Sequence, residues 1–184
     1  MDFDGDQVDY KLYDSCIGID YEPTENNKLS LSTGYYVQDK DEGGNESGIV
    51  VNGVFEQTFR RGSFYLSGSK GHGDAYFGAE NLGLSEFYEF ECKGEHNLTR
   101  YVLVDLSILY RKDDYVDREP ERDDKTKRVK VGITWGCREW LSFRVDYSYN
   151  TVDSDMDDED YRENRMFFTV TLTPPRPYRM TDRL

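Results

Sequence analysis

The feature that most constrains the fold is an alternation of apolar and polar side chains that recurs along almost the whole chain. The segment 141–150, LSFRVDYSYN, is the clearest example, with an apolar side chain at every second position. Successive side chains of a β-strand point to opposite faces, so this pattern predicts a strand with one apolar and one polar face. Nine such segments follow one another, which predicts an all-β fold.

The connections between these segments alternate between short and long. Because successive connections of an up-and-down barrel lie at opposite rims, all the long loops would share one rim, as they do in outer-membrane barrels. The sequence therefore predicts an antiparallel up-and-down β-barrel of the transmembrane type. Short turns are predicted at residues 22–27, 61–62, 96–97 and 136–140, and long loops at 38–47, 70–84, 112–127 and 153–164.

The predicted barrel is a single domain over residues 1–184. It comprises an acidic N-terminal loop (1–9), the barrel strands (10–173) and a proline-rich tail (174–184). Nine strands are predicted, or ten if residues 8–11 add one. Bacterial outer-membrane barrels have an even strand number with both ends in the periplasm. We therefore expect a truncated barrel, the C-terminal part of a larger one, with a signal peptide upstream.

Composition excludes several other classes of protein. The chain has a formal net charge of −14 and lacks the run of about 20 apolar residues that a membrane helix needs. Its acidic balance argues against nucleic-acid binding, which requires clustered Lys and Arg. The 15 Tyr and 10 Phe suit the aromatic girdles of a membrane barrel. Intrinsic disorder is the other reading of such a charged chain, but the regular alternation argues against it.

The alternation divides the strand residues between two environments. The polar positions are predicted to face the lumen and the apolar positions to face lipid. The predicted lumen-facing residues are Glu56, Arg60, Glu89, Glu91, Lys93, Asp105, Arg111, Arg128, Lys130, Arg144, Asp146 and Arg165. The predicted lipid-facing residues are Leu29, Leu31, Ile49, Val51, Phe55, Val102, Val104, Leu106, Ile108, Val129, Val131, Ile133, Leu141, Phe143, Val145, Phe168, Val170 and Leu172.

Alternation alone does not say which face is inside. A soluble β-barrel that encloses its apolar face and binds a lipophilic ligand is the competing prediction. The apolar positions repeat at similar size along every strand, without the small and large variation that a tapering interior needs. This favours the membrane barrel.

No constellation of residues indicates catalysis. His72 is predicted in a glycine-rich loop and His96 in a short turn, and no serine with an acid or amide partner is marked beside either. The cysteines Cys16, Cys92 and Cys137 have neither a disulfide pattern nor zinc-site spacing. The acidic clusters at 2–6, 39–46 and 153–160 lack the full spacing of a calcium loop. We predict no enzymatic activity, no cofactor and no specific metal site.

The segments WLSFRVDYSY (140–149) and YRENRMFFTVTL (161–172), separated by an acidic loop, resemble the last hairpin of Gram-negative outer-membrane β-barrel porins of the type associated with exopolysaccharide loci. Over about residues 10–175 the resemblance lies in the general alternation and spacing of the strands. It implies an outer-membrane location, with lipid, lipopolysaccharide and the barrel-assembly machinery as partners. The function it implies is passive transport of small solutes or polysaccharide export. A non-conducting structural or accessory barrel of an export locus is the alternative, and the oligomeric state is left open.

Overall fold

The computed structural model describes residues 10–40, 46–77, 80–115, 122–155 and 160–173. These residues form nine strands in one sheet, and each strand pairs antiparallel with its sequence neighbours in the order β1 to β9. The all-β, up-and-down prediction is confirmed. The strands are β1 (Tyr10–Thr24), β2 (Asn27–Lys40), β3 (Glu46–Phe59), β4 (Gly62–Phe77), β5 (Glu80–Asn97), β6 (Val102–Tyr115), β7 (Arg122–Arg138), β8 (Leu141–Ser154) and β9 (Tyr161–Leu172).

Four short turns lie together at one end of the sheet, which we call the turn rim. They occupy residues 25–26, 60–61, 98–101 and 139–140. Backbone hydrogen bonds join each turn to the neighbouring strands, for example from Thr58 N–H to the Asn26 carbonyl oxygen at 2.8 Å. In the third turn, the Thr99 hydroxyl oxygen accepts hydrogen bonds from the N–H groups of Tyr101 and Val102, both at 3.1 Å. The other ends of the strands lie at the opposite end of the sheet, which we call the far rim.

The strands continue further toward the far rim than the sequence predicted. The segment 70–84 was predicted to be a flexible loop because of its glycines, but β4 runs to Phe77 and β5 begins at Glu80. Glycine weakens a strand pattern without removing its backbone hydrogen-bonding groups. Pairing with β5 therefore maintains the strand, with Gly71 opposite Phe87 and His72 opposite Glu86. The strands also enter the other three predicted loops, and residues 41–45, 116–121 and 156–159 lie outside the described ranges.

The register assigns the side chains to two faces of the sheet. One face, called here the apolar face, is lined by Val, Ile, Leu and aromatic side chains over the middle of each strand. Many of these side chains are exposed, with Ile17 at 75 % and Met166 at 74 % of full exposure, and others are half-buried. The other, the polar face, carries most of the Ser, Thr, Asp, Glu and Arg side chains. A single sheet with one apolar face leaves that face without protein to cover it.

The sheet curves toward the polar face. Arg144 on β8 contacts Asp105 on β6, so their side chains meet above the intervening strand β7. On the apolar face, the ring contacts in the described part of the chain join only adjacent strands, as with Phe143 and Phe168 at 6.1 Å. Long side chains can bridge alternate strands most easily on a concave surface. The polar face is therefore the inner face of the curve.

The sheet is not closed into a full barrel. Within the described ranges, β1 pairs only with β2, and β9 only with β8. Because nine antiparallel strands alternate in direction, β1 and β9 run in the same direction. Side chains on both faces of β1 are exposed, as expected at an uncovered edge. Across the described residues, no helix has the length and apolar character needed to cross a membrane.

Candidate functional site

The candidate site is the polar face, where the register gathers nearly all the charged residues that the sequence predicted to face a lumen. Strand pairing places eleven of those twelve residues on this one face. The exception is Arg60, which lies in the turn between β3 and β4. All eighteen residues predicted to face lipid lie on the opposite, apolar face. Contact of either face with lumen or lipid stays a prediction.

Arg144 is the centre of a charged network on this face. Its two terminal nitrogens donate to the two carboxylate oxygens of Asp105 at 2.8 and 3.0 Å. Its Nε donates to Asp146 at 2.8 Å, and Nη1 also donates to the Thr134 hydroxyl oxygen at 3.0 Å. A paired, planar geometry of this kind gives the stronger type of charge-assisted hydrogen bond. Arg144 is thereby held flat against the wall of the sheet.

Gly132 makes this contact possible. It lies on β7 directly opposite Asp105 on one side and Asp146 on the other. A Cβ atom at this position would lie 2.3 Å from Nη2 of Arg144 and 2.6 Å from both carboxylate oxygens of Asp105. The absence of a side chain at Gly132 thus opens the path by which Arg144 crosses β7.

Arg111 on β6 forms a second network nearer the far rim. Its Nε and Nη2 donate to Asp113 at distances of 2.6 to 2.9 Å, and Nη1 contacts Glu89 at 3.4 Å. The guanidinium also lies over the ring of Phe87, 4.1 Å from its centroid, which is a cation–π geometry. Together with the Arg144 network, this fixes two cationic groups on the polar face.

A groove of about 470 Å³ lies on the polar face of β7, β8 and β9. Two rows of directly paired residues cross it, one of Arg128, Asn150 and Glu163, and the next of Lys130, Ser148 and Arg165. The side chains of Arg165 and Glu163 form an ion pair with each other. The groove is lined by Arg128, Lys130, Asp146, Tyr147, Ser148, Asn150, Glu163, Arg165, Phe167 and Thr169.

A buried cluster connects β1 and β2 with the far ends of β4 and β5. Tyr36 is only 2 % exposed, and its hydroxyl donates to Glu86 Oε1 at 2.7 Å. The Tyr36 ring lies 4.1 Å from the His72 ring, and His72 Nε2 lies 3.4 Å from Asp14 Oδ1. Pairing of β3 with β4 ends at Val51 and Lys70, before His72 is reached. The far ends of β4 and β5 are therefore separated from β3.

The cluster shows where this separated hairpin lies. By strand alternation, Tyr36 and Asp14 belong to the polar face, whereas His72 and Glu86 belong to the apolar side of β4 and β5. These side chains can meet only if the far part of the β4–β5 hairpin lies across the polar face of β1–β3. Gln38, at 0 % exposure, is buried on that face. Sequence reasoning missed this arrangement, although a tyrosine at a polar-face position was a signal for it.

Glycine again provides the space in this cluster. A Cβ atom on Gly48 would lie 2.5 Å from Cε1 of Tyr36 and 2.8 Å from Oε1 of Glu86. Gly48 pairs directly with Tyr36 across β2 and β3. The Tyr36 ring can approach position 48 of β3 this closely only because that position has no side chain.

Toward the far rim, the apolar face carries pairs of oppositely charged side chains. Lys112 Nζ lies 2.5 Å from Asp114 Oδ1 and 3.0 Å from Asp123 Oδ2. Hydrogen bonds to these two carboxylates raise the pKa of Lys112 above its usual range. Lys127 and Asp153 form a further pair at 2.9 Å. The apolar face therefore ends in charged residues toward the far rim.

The two histidines are in strands rather than in the loop and turn that the sequence predicted. His72 is in β4 and His96 in β5. Cys16, Cys92 and Cys137 are free cysteines. In the part of the chain that the structure describes, no group of three or more His, Cys, Asp or Glu residues is arranged to hold a metal ion. The features that characterise the polar face are its charged side chains and the groove.

Comparison with known proteins adds one finding. Residues 83–173 match the family model described as Putative beta-barrel porin 2. The matched region begins in β5 and ends just after β9, so it includes the groove and the Arg144 network. No curated protein matches the chain. The predicted resemblance to a porin family is confirmed for this region.

Proposed function

Starting from this family match over residues 83–173, we propose that the chain is a wall-forming part of a passive β-barrel channel in a bacterial outer membrane. Small polar solutes would pass along the polar face, and the apolar face would contact lipid. The observation that carries the proposal is the exposed apolar face on the convex side of a curved single sheet. In water such a face would be costly, whereas in lipid it is the expected exterior of a barrel.

The dimensions of the apolar face fit a bilayer. The apolar positions of β2 extend from Leu29 to Val37, which is roughly 27 Å at about 3.4 Å per residue. An outward apolar band of roughly 25 Å is typical of outer-membrane barrels. Tyr13, Tyr35, Tyr88 and Tyr110 lie toward its far-rim border, where interfacial aromatic residues are expected. Lys112 pairs directly with Tyr88 and Lys127 with Tyr110, so the charged pairs of these lysines would lie at the same border.

The polar face suits the wall of a hydrated passage. Arg144 and Arg111 are held by neighbouring carboxylates and so present fixed charges to a passing solute. Fixed charges along a pore select solutes by charge without any chemical step. The proposed activity is therefore diffusion through a charged lumen.

A non-conducting accessory barrel is the second candidate, and the β4–β5 hairpin is the observation that favours it. Contacts of His72 and Glu86 with Asp14 and Tyr36 place this hairpin over the polar face of β1–β3, where it would narrow the passage. The curvature of the sheet toward its polar face argues against a soluble barrel, because in a soluble barrel the apolar face would be the concave, inner face.

The first experiment tests membrane insertion. The chain is folded with and without detergent micelles, and its migration on a gel is compared before and after boiling. We expect a β-rich fold that depends on detergent and migrates differently when boiled. A monodisperse β-rich monomer in plain buffer would refute the membrane assignment and favour the soluble barrel.

The second experiment separates the channel from the accessory barrel. The detergent-folded chain is added to a planar bilayer, and ionic current is recorded across it. Discrete current steps are expected for a channel. A protein that inserts and shows the heat-dependent gel shift, yet never conducts, would support the accessory barrel instead.

A further inference from the structure

Charge is unevenly distributed over the polar face. The described side chains of β1–β5 on this face are mainly acidic, whereas β7–β9 carry most of the cations. The acidic residues of the first group are Asp14, Asp20, Glu46, Glu56, Glu89, Glu91 and Glu95, with Lys28 and Lys93 as their cations. The cations of the second group are Arg128, Lys130, Arg144 and Arg165.

Among the described residues, two of these cations have no carboxylate partner. Asp146 is engaged by Arg144 and Glu163 by Arg165. No ion pair in the described part of the chain involves Arg128 or Lys130, although Arg128 donates a hydrogen bond to the Asn150 side-chain oxygen at 3.4 Å. Both cations line the groove on β7–β9. The positive charge of the groove is therefore only partly neutralised by the protein.

The register fixes the spacing of the cationic groups. Lys130 and Arg165 are separated by the single strand β8, which corresponds to about 10 Å between their backbones at roughly 4.8 Å per strand. Arg128 lies two residues from Lys130 on the same strand and on the same face. Long, flexible cationic side chains at these distances can converge on one small anion. Ser148 and Thr169 add hydroxyl groups to the lining.

Phe167 is the second observation that points to a ligand. It lies on the polar face, directly opposite Asp146, and is 57 % exposed. A large exposed aromatic side chain next to a cationic groove offers a flat apolar surface for the body of a bound molecule. Binding sites commonly combine an apolar surface of this type with a few polar groups that fix orientation.

We propose that the groove on β7–β9 binds anionic solutes that have a cyclic body. The oxyanion would be bound by Lys130 and Arg128, with Arg165 at the other side, and the ring would rest on Phe167. This proposal names a solute class for the proposed channel and rests on that function in taking the polar face as the solute-facing one. A neutral sugar would gain only the ring contact, and a small anion only the charge contact.

The test measures equilibrium binding to the full chain in detergent micelles, by nuclear magnetic resonance titration at low salt. Three probes are compared: glucuronate, which has both features, glucose, which has the ring alone, and acetate, which has the charge alone. We expect glucuronate to bind about tenfold more tightly than either of the others, a difference of about 1.4 kcal/mol. Equal binding of glucuronate and acetate, or no binding of glucuronate, would overturn the two-part site.

Variants assign the binding to the groove. Lys130→Gln and Phe167→Leu are each expected to weaken glucuronate binding at least about threefold, and Lys130→Gln alone is expected to reduce the salt dependence of binding. The matched control is Lys93→Gln, since Lys93 is also a polar-face lysine but is paired with Glu91 on β5. Unchanged binding in both groove variants, with folding verified by the gel shift, would refute the assignment.

The binding measurement does not depend on conduction. If the chain binds glucuronate in micelles but never conducts, the proposed binding site is supported and the proposed channel is refuted. If the chain conducts but does not prefer glucuronate, the proposed channel is supported and the proposed binding site is refuted. The two proposals therefore fail separately.

Discussion

Arg144 of β8 is bound to Asp105 of β6 across the intervening strand, above the position where β7 carries Gly132. Three strands are thus joined by one side chain in addition to their backbone ladders. Such a bridge draws alternate strands together and favours curvature toward the polar face. The charge network and the shape of the sheet are consequently linked at this point.

Gly132→Ala is expected to break this bridge, because its Cβ would occupy the space of the Arg144 guanidinium. The free energy of unfolding should fall by about 1–2 kcal/mol as Asp105 loses its paired hydrogen bonds. Urea unfolding in micelles, followed by tryptophan fluorescence, measures the change. The control is Gly68→Ala, where a Cβ meets no atom within 4 Å. Equal effects of the two substitutions would contradict the role given to Gly132.

Tyr36→Phe is expected to loosen the β4–β5 hairpin. The substitution removes the hydrogen bond to Glu86 and leaves that carboxylate without this donor, at a cost of about 1–2 kcal/mol. Amide hydrogen exchange at the far ends of β4 and β5 should accelerate about tenfold. The neighbouring Tyr35→Phe is the control, because Tyr35 is exposed and its hydroxyl donates to Ser47 on the adjacent strand. Its exchange rates in β4 and β5 should stay unchanged.

Gly48→Ala should produce the same local opening by a different route. The added methyl group would meet the Tyr36 ring and Glu86, so the hairpin must move away from β3. We expect its exchange effect to be non-additive with that of Tyr36→Phe, because both changes release the same contact. Additive effects in the double variant would show that the two residues act on separate elements.

Leu106→Arg and Ser107→Arg form a matched pair that identifies the lipid-facing side. Leu106 lies in the middle of the apolar face, and Ser107 is its neighbour on the polar face. Arginine near the middle of a bilayer costs about 2–4 kcal/mol, so Leu106→Arg should fold into lipid vesicles much less stably than the parent chain. Ser107→Arg should fold nearly normally. The reverse ranking would contradict the assignment of the apolar face to lipid.

The strands and their two faces were predictable because side-chain alternation is a local property of the sequence. The alternation in β8, with Phe143 and Val145 on one face and Arg144 and Asp146 on the other, determines the same division that the register shows. The far ends of β4 and β5 were wrongly predicted as a loop. Their glycines obscure the alternation, and pairing between the two strands maintains them instead.

The contacts within the candidate site could not be predicted in the same way. The approach of Arg144 to Asp105 depends on the registers of two strand pairs, and a shift of one residue in either would remove it. The Tyr36 cluster depends on where pairing between β3 and β4 stops. Neither the register of two strand pairs nor the point where their pairing ends can be read from the sequence of a single strand. The charged residues were therefore identified, but their partners were not.

The shared direction of β1 and β9 limits how the two edges of this sheet can be joined. In the part of the chain that the structure describes, both edges carry unpaired backbone groups that can accept another strand. Copies of the chain in the same orientation would bring β9 of one beside β1 of the next as parallel strands. An antiparallel seam requires an interposed strand of opposite direction. Strand direction, more than edge affinity, therefore decides which partners can close the wall.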